Sequence, residues 1–193
     1  MALSFFFAKN VKGADVKAHE KVILDSKKLY YNYMFARDVK GADIKVHGKI
    51  IIASRDLGCN YQFAKDVKGA DVKTHGQVIL DSGDLDYNYQ FAKDVKGVDA
   101  RVHGKVIIAS KDLYYNYKFI RNIAGADIQA HENVIKNSKN IFYKKKVMDL
   151  KERVSHQVPI DDDCSDKISQ CKEKLNCSLD SMLDPKKKVR VKK

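Results

Sequence analysis

The chain has 193 residues, with 37 Lys and Arg against 25 Asp and Glu (net +12), 44% hydrophobic residues, four Cys and no Trp. That length suits one domain or one repeat array, and the ordinary apolar content excludes wholesale disorder. No apolar run reaches the ~18 residues of a spanning helix, and the four Cys, three of them near the C-terminus, are too few for a disulfide-dense scaffold.

The start, MALSFFFAKN, has neither the basic region nor the apolar core of a signal peptide. The expectation is a cytoplasmic protein with no membrane role. The basic balance admits nucleic acid or an acidic protein as partner.

Self-similarity organises residues 1–140. Phe7, Phe35, Phe63, Phe91 and Phe119 are each 28 apart, as are Gly13, Gly41, Gly69, Gly97 and Gly125. Asp15, Asp43, Asp71, Asp99 and Asp127 keep the same step, and so do His19, His47, His75, His103 and His131. Ser26, Ser54, Ser82, Ser110 and Ser138 close the units. A partial sixth unit begins at Ile141.

Within repeat 2, Leu29, Asn32, Phe35, Ala36 and Val39 fall on a helical stripe. Gly41 follows, where a helix C-terminus takes a residue that tolerates the left-handed conformation. Asp43 stands at an N-cap position, before a second stripe of Ile44, Gly48, Ile51 and Ile52. Ser54 and Asp56 mark the exit. Helices this short are unstable alone, so each must bury its stripe on a neighbour.

Gly48, Gly76 and Gly104 lie mid-helix on that stripe, where Gly costs about 1 kcal/mol against Ala. Close approach between repeats is the expected reason, and drift during duplication the alternative. Glu20 and Glu132 replace them in the outermost repeats, where one face is expected to meet water. The pattern predicts an all-α fold: an α-solenoid of five 28-residue helix-turn-helix repeats (1–140), a C-terminal capping helix (141–158), then a short helix and basic tail (159–193).

Over residues 1–140 the chain resembles the short αα-repeat superhelical proteins of the HEAT-like and TPR-like class. Its unit is shorter than the ~34 residues of TPR or the ~40 of HEAT, and the TPR signature Trp, Leu and Pro positions are absent. The phrase FAKDVKGAD is similar to tandem repeats in bacterial and phage-type proteins. The resemblance implies a right-handed superhelix and a binding role, and carries over no functional residue.

In the tail, Ile168, Cys171 and Leu175 share one face of a short helical pattern. The end, PKKKVRVKK, resembles a nuclear-import signal through Lys187, Lys188 and Arg190, which would matter in a eukaryotic host. A solvated basic run is the plainer reading.

The histidines invite a metal reading, which geometry opposes. Stacked helices sit ~8–10 Å apart, whereas zinc ligands lie ~2.0–2.3 Å from the ion. The expectation is a structural ladder of neutral imidazoles, with Asn32, Asn60, Asn88 and Asn116 as hydrogen-bond partners. Cys164, Cys171 and Cys177 lack zinc-site spacing, and Cys59 replaces a Tyr of its sister repeats. No nucleophile, phosphate-loop or metalloprotease motif occurs. No enzyme activity, metal or cofactor is expected.

The functional signal falls on the first helix of each unit. Tyr33, Arg37 and Lys40 recur as Tyr61, Lys65, Lys68 and as Tyr89, Lys93, Lys96, decaying at Tyr117 and Arg121. Stacked, they form a ladder of cations edged by aromatics that could meet phosphates and bases or an acidic protein. Asp38, Asp66 and Asp94 dilute its field. The leading expectation is a non-catalytic scaffold for a protein partner. The second is nucleic-acid binding along the ladder. The third is a small phage-type inhibitor of a host nuclease or defence complex.

Overall fold

A computed structural model describes residues 1–155 of the chain, and among these the secondary structure is entirely helical. The helices are α1 (Ala2–Asn10), α2 (Val16–Ser26), α3 (Leu29–Asp38), α4 (Ile44–Ser54), α5 (Leu57–Asp66), α6 (Val72–Ser82), α7 (Leu85–Asp94), α8 (Ala100–Ser110), α9 (Leu113–Asn122), α10 (Ile128–Asn137) and α11 (Ile141–Ser155). The odd helices from α1 to α9 are the A helices of the five repeats, and the even ones are the B helices. The short helix, the import-like run and Cys164, Cys171 and Cys177 lie outside the described residues.

Local chemistry delimits every unit. Asp43 accepts hydrogen bonds from the backbone N–H of Lys45 and Val46 at 3.1 and 3.2 Å, satisfying donors that the first helical turn leaves open. Asp15, Asp71, Asp99 and Asp127 cap the other B helices, and Asp56, Asp84 and Asp112 cap α5, α7 and α9. Ser82 Oγ donates to Ile79 O at 2.7 Å and accepts from Asp84 N–H at 3.1 Å, closing one helix and aligning the next.

Two details depart from the sequence pattern. Val39 is not helical; α3 stops at Asp38 and Val39 is extended, yet still buried, with its N–H on Phe35 O at 3.0 Å. Three B helices end on left-handed residues that are not glycine: Lys27, Arg55 and Lys111, with φ of 51°, 54° and 57°.

Packing is repetitive along the array. Phe35, Phe63, Phe91 and Phe119 are fully buried, as are Ile23, Ile51, Ile79 and Ile107. Each mid-helix glycine receives the phenylalanine of the next repeat. A Cβ on Gly76 would stand 3.1 Å from Phe91 Cε1; one on Gly104 would stand 3.0 Å from His131 Nε2 and 3.3 Å from Phe119 Cε1. Glu20 and Glu132, expected at a wet face, are instead 4% and 2% exposed. Glu20 tolerates burial because it accepts from Asp43 N–H and Lys17 Nζ, and Glu132 pairs with Lys136 Nζ at 3.0 Å.

The chain divides after Met148 into two units, and the repeats lie in the first. In that unit α11 repeats the start of an A helix: Asn140 Oδ1 accepts from Tyr143 N–H at 3.2 Å, and Val147 is buried at the position in register with Phe119.

Gly104→Ala separates packing from propensity. Helix propensity alone predicts a gain of about 1 kcal/mol, whereas the crowded site predicts a net loss of about 1 kcal/mol from overpacking. Urea denaturation measures the sign, and a gain would refute close approach as the reason for the glycine.

Candidate functional site

The buried polar residues form one repeated connection. Asn60 Nδ2 donates to Ile51 O at 3.0 Å, on the preceding B helix, and to Asp56 O at 2.8 Å, on its own. Its Oδ1 therefore faces His75 Nδ1, 2.7 Å away. An amide oxygen only accepts, so Nδ1 carries the proton and Nε2 is bare in the neutral ring. The same geometry joins Asn32 to His47 at 2.7 Å, Asn88 to His103 at 2.8 Å and Asn116 to His131 at 2.8 Å. Each histidine also lies against the phenylalanine of its own repeat. His19 stands apart: it is half-buried and stacks on Phe7, with Ser4 in the asparagine register.

Burial disfavours the imidazolium in this setting. It draws His75, His103 and His131 down to about 4, although Asp71, Asp99 and Asp127 pull weakly the other way. His47 is also lowered by burial, against the nearby Glu20 carboxylate, 3.4 Å from its Nε2.

The ladder on the A helices is built differently from its appearance in the sequence. Tyr61 and Tyr89 are only 5% and 4% exposed, with their rings inside the repeat interfaces. Tyr33 and Tyr117 are half-buried. The hydroxyls reach the next repeat: Tyr33 donates to Asp66 at 2.7 Å and Tyr61 to Asp94 at 2.5 Å. Burial and Asp66 push the Tyr33 hydroxyl up to about 12.

The cations close the same links. Arg37 stacks on Tyr33, donates to its hydroxyl at 2.8 Å and pairs with Asp38 at 2.6 Å. Lys65 stacks on Tyr61 and lies 3.7 Å from Asp94. Lys9 reaches Asp38 at 2.9 Å. In the fourth repeat the register partner is Asn122, whose Nδ2 donates to Tyr89 Oη at 2.8 Å, and Lys93 has no carboxylate to meet there. Arg121 is half-buried. Lys40, Lys68 and Lys96 are exposed in the turn beyond each A helix, where the helix dipole favours a cation.

The B helices carry a second set of cations that the sequence reading passed over. Lys17, Lys45, Lys73 and Arg101 are in register, followed one turn later by Lys21, Lys49, Gln77 and Lys105. The cations among them are all exposed. Lys17 pairs with Glu20, and Arg101 with Asp99. The side chains of Lys21, Lys45, Lys49, Lys73 and Lys105 make no hydrogen bond or ion pair among the described residues. Exposed Val22, Val46 and Val102 lie beside them.

Between α4 and α6 lies a cleft of about 410 Å³, lined by Gln77 of this register together with Ile52, Leu57, Val78, Arg55 and Asp81. The signal for the B-helix cations was available as the 28-residue step in Lys17, Lys45 and Lys73.

Cys59 is half-buried, and burial together with Asp56 pushes its thiol up to about 12, far from a reactive thiolate. Among the described residues no group of three His, Cys, Asp or Glu side chains is placed to hold a metal. No helix among them is long and apolar enough to cross a membrane. The chain matches no protein-family model, no curated protein and no solved structure.

Two outcomes follow from the buried connection. Asn60→Ala leaves the His75 N–H and Ile51 carbonyl without their asparagine partner, and is expected to cost about 2–4 kcal/mol in chemical denaturation. A loss under about 1 kcal/mol would place the asparagine outside the stabilising set.

The histidines also give stability a pH dependence. Their folded values are depressed, so the unfolded chain binds more protons as pH falls from about 6.5 to about 4. Stability is complete above that window and declines through it, approaching ~1.4 kcal/mol per pH unit for each histidine. Denaturation midpoints between pH 7.5 and 4.5 measure the slope; a flat profile would exclude buried neutral histidines.

Proposed function

We propose that the array is a non-catalytic scaffold, similar in plan to HEAT-like and TPR-like solenoids, that binds an acidic protein segment on the outer face of its B helices. The observation that carries this reading is the run of exposed B-helix lysines beside exposed valines, which the A side, although Lys93 is also untied there, does not repeat. Cations Lys9, Arg37 and Lys65 on the A helices are tied to aspartates. Those of the B helices are largely unpaired and stand beside exposed valines. Unpaired lysines attract and orient carboxylates, while the valines and the cleft between α4 and α6 offer aliphatic contact that a phosphate backbone does not use.

Nucleic acid is the second reading, because the same lysines suit phosphates. It is less favoured because Tyr61 and Tyr89 are buried and do not present faces for bases.

Fluorescence anisotropy distinguishes the two. The probes are a labelled Glu- and Leu-rich peptide and single- and double-stranded DNA and RNA, titrated over a salt series. The triple variant Lys45→Glu, Lys49→Glu, Lys105→Glu should weaken peptide binding at least ~10-fold. Lys65→Glu with Lys93→Glu should leave that binding within ~2-fold and lower thermal stability, since Lys65 sits beside Asp94. Tight nucleic-acid binding that survives removal of residues 184–193 and falls steeply with salt would replace the protein-partner reading.

A further inference from the structure

The first helix is chemically unlike its sisters. Phe6 stands in register with Met34, Gln62, Gln90 and Lys118, and Phe5 replaces a tyrosine. Phe5 and Ala8 of α1 face inward, against the cluster of Ile23, Phe35 and Val39. Leu3, Phe6 and Phe7, spaced three and four residues apart, share the opposite side. They are 73%, 56% and 44% exposed. Phe7 occupies the register in which Phe35, Phe63, Phe91 and Phe119 are fully buried, and His19 stacks on its ring. This side is thus the same half-interface that the array uses internally, left open.

A repeat face that meets water is expected to be polar, and an apolar helix face is expected to be covered. Here the outward position is more apolar than in any sister repeat.

We propose that this side of α1 is a self-association surface through which two copies of the chain pair about a two-fold axis. Charge selects this arrangement. The only ionisable side chain of α1 is Lys9, already held by Asp38 on the inner side. Two copies of α1 therefore meet with no side-chain charge to desolvate, and the ammonium at Met1, at the helix end, can stay in water. A head-to-tail contact would set α1 against α11, which carries Lys144, Lys145 and Lys146, and α1 has no carboxylate to receive them. The two-fold contact is self-complementary and closes, whereas the head-to-tail contact would propagate.

Sedimentation velocity of the full chain over roughly 1–100 µM tests this. The expected result is a mass that rises to twice the monomer and no further. Phe6→Lys, which places at this register the residue that Lys118 already occupies, should weaken pairing at least ~10-fold with circular dichroism and melting temperature retained. Leu3→Lys, at the more exposed position, serves if that variant does not fold. Met148→Lys, on the exposed side of α11, should leave pairing unchanged. A monomer throughout, whether the face stays in water or residues 156–193 cover it, would overturn the proposal. So would a dimer indifferent to both α1 variants, or an assembly abolished by Met148→Lys.

Discussion

Four buried asparagine amides hold the array together. Each bonds to the carbonyl that opens its own A helix, to a carbonyl at the end of the preceding B helix, and to the histidine of its own B helix. Three helices from two repeats are thereby fixed to one side chain. Apolar ridges tolerate sliding with modest loss of contact, but three directional bonds do not. The surrounding Phe and Ile side chains supply most of the burial energy; the amide determines which arrangement of those side chains is adopted. An apolar residue of similar size would fill the space and leave a buried ring N–H without a partner.

Charge is divided between the two sides of the repeats. On the A side, the hydroxyls of Tyr33 and Tyr61 and the heads of Lys9 and Lys65 reach the aspartate of the following repeat, while Arg37 joins the Tyr33 hydroxyl to Asp38 of its own repeat. These links act as a second, weaker clasp beside the asparagine. They also remove much of the attraction that the cations would exert on a partner. On the B side the caps are aspartates at the helix starts, and most lysines farther along have no carboxylate within reach. The two sides thus differ in how their cations are held: several on the A helices are tied to aspartates, and most on the B helices are not.

Much of the fold was legible in the sequence because its causes are local. A glycine at each turn, an aspartate at each B-helix start and apolar stripes of helical period mark the helix pairs without reference to the rest of the chain. The pairing of asparagine with histidine was also accessible, since buried polar groups on facing stripes require one another. The left-handed ends at Lys27, Arg55 and Lys111 were not, because lysine and arginine carry no signal for that conformation; only Gly83 displays it. The A-side ladder was misleading for a different reason. Helical spacing places Tyr61 and Lys65 on a common stripe, but which side of the helix the next repeat covers depends on the stacking angle, and this is a tertiary quantity. The carboxyl group of Asp94 lies 33 residues beyond Tyr61, a distance at which no local rule connects them.

The asparagine connection is formed entirely between one unit and the unit before it, and it reappears every 28 residues with the same atoms. Nothing in it refers to how many units the array contains. A recombination event that adds or deletes a whole copy between Asn60 and Asn116 would leave the asparagine connection at each remaining junction the same, although the tyrosine clasp beside it would change partner. Length can therefore change in steps of one unit while the asparagine connection is kept, and the number of lysine-bearing B helices would change with it.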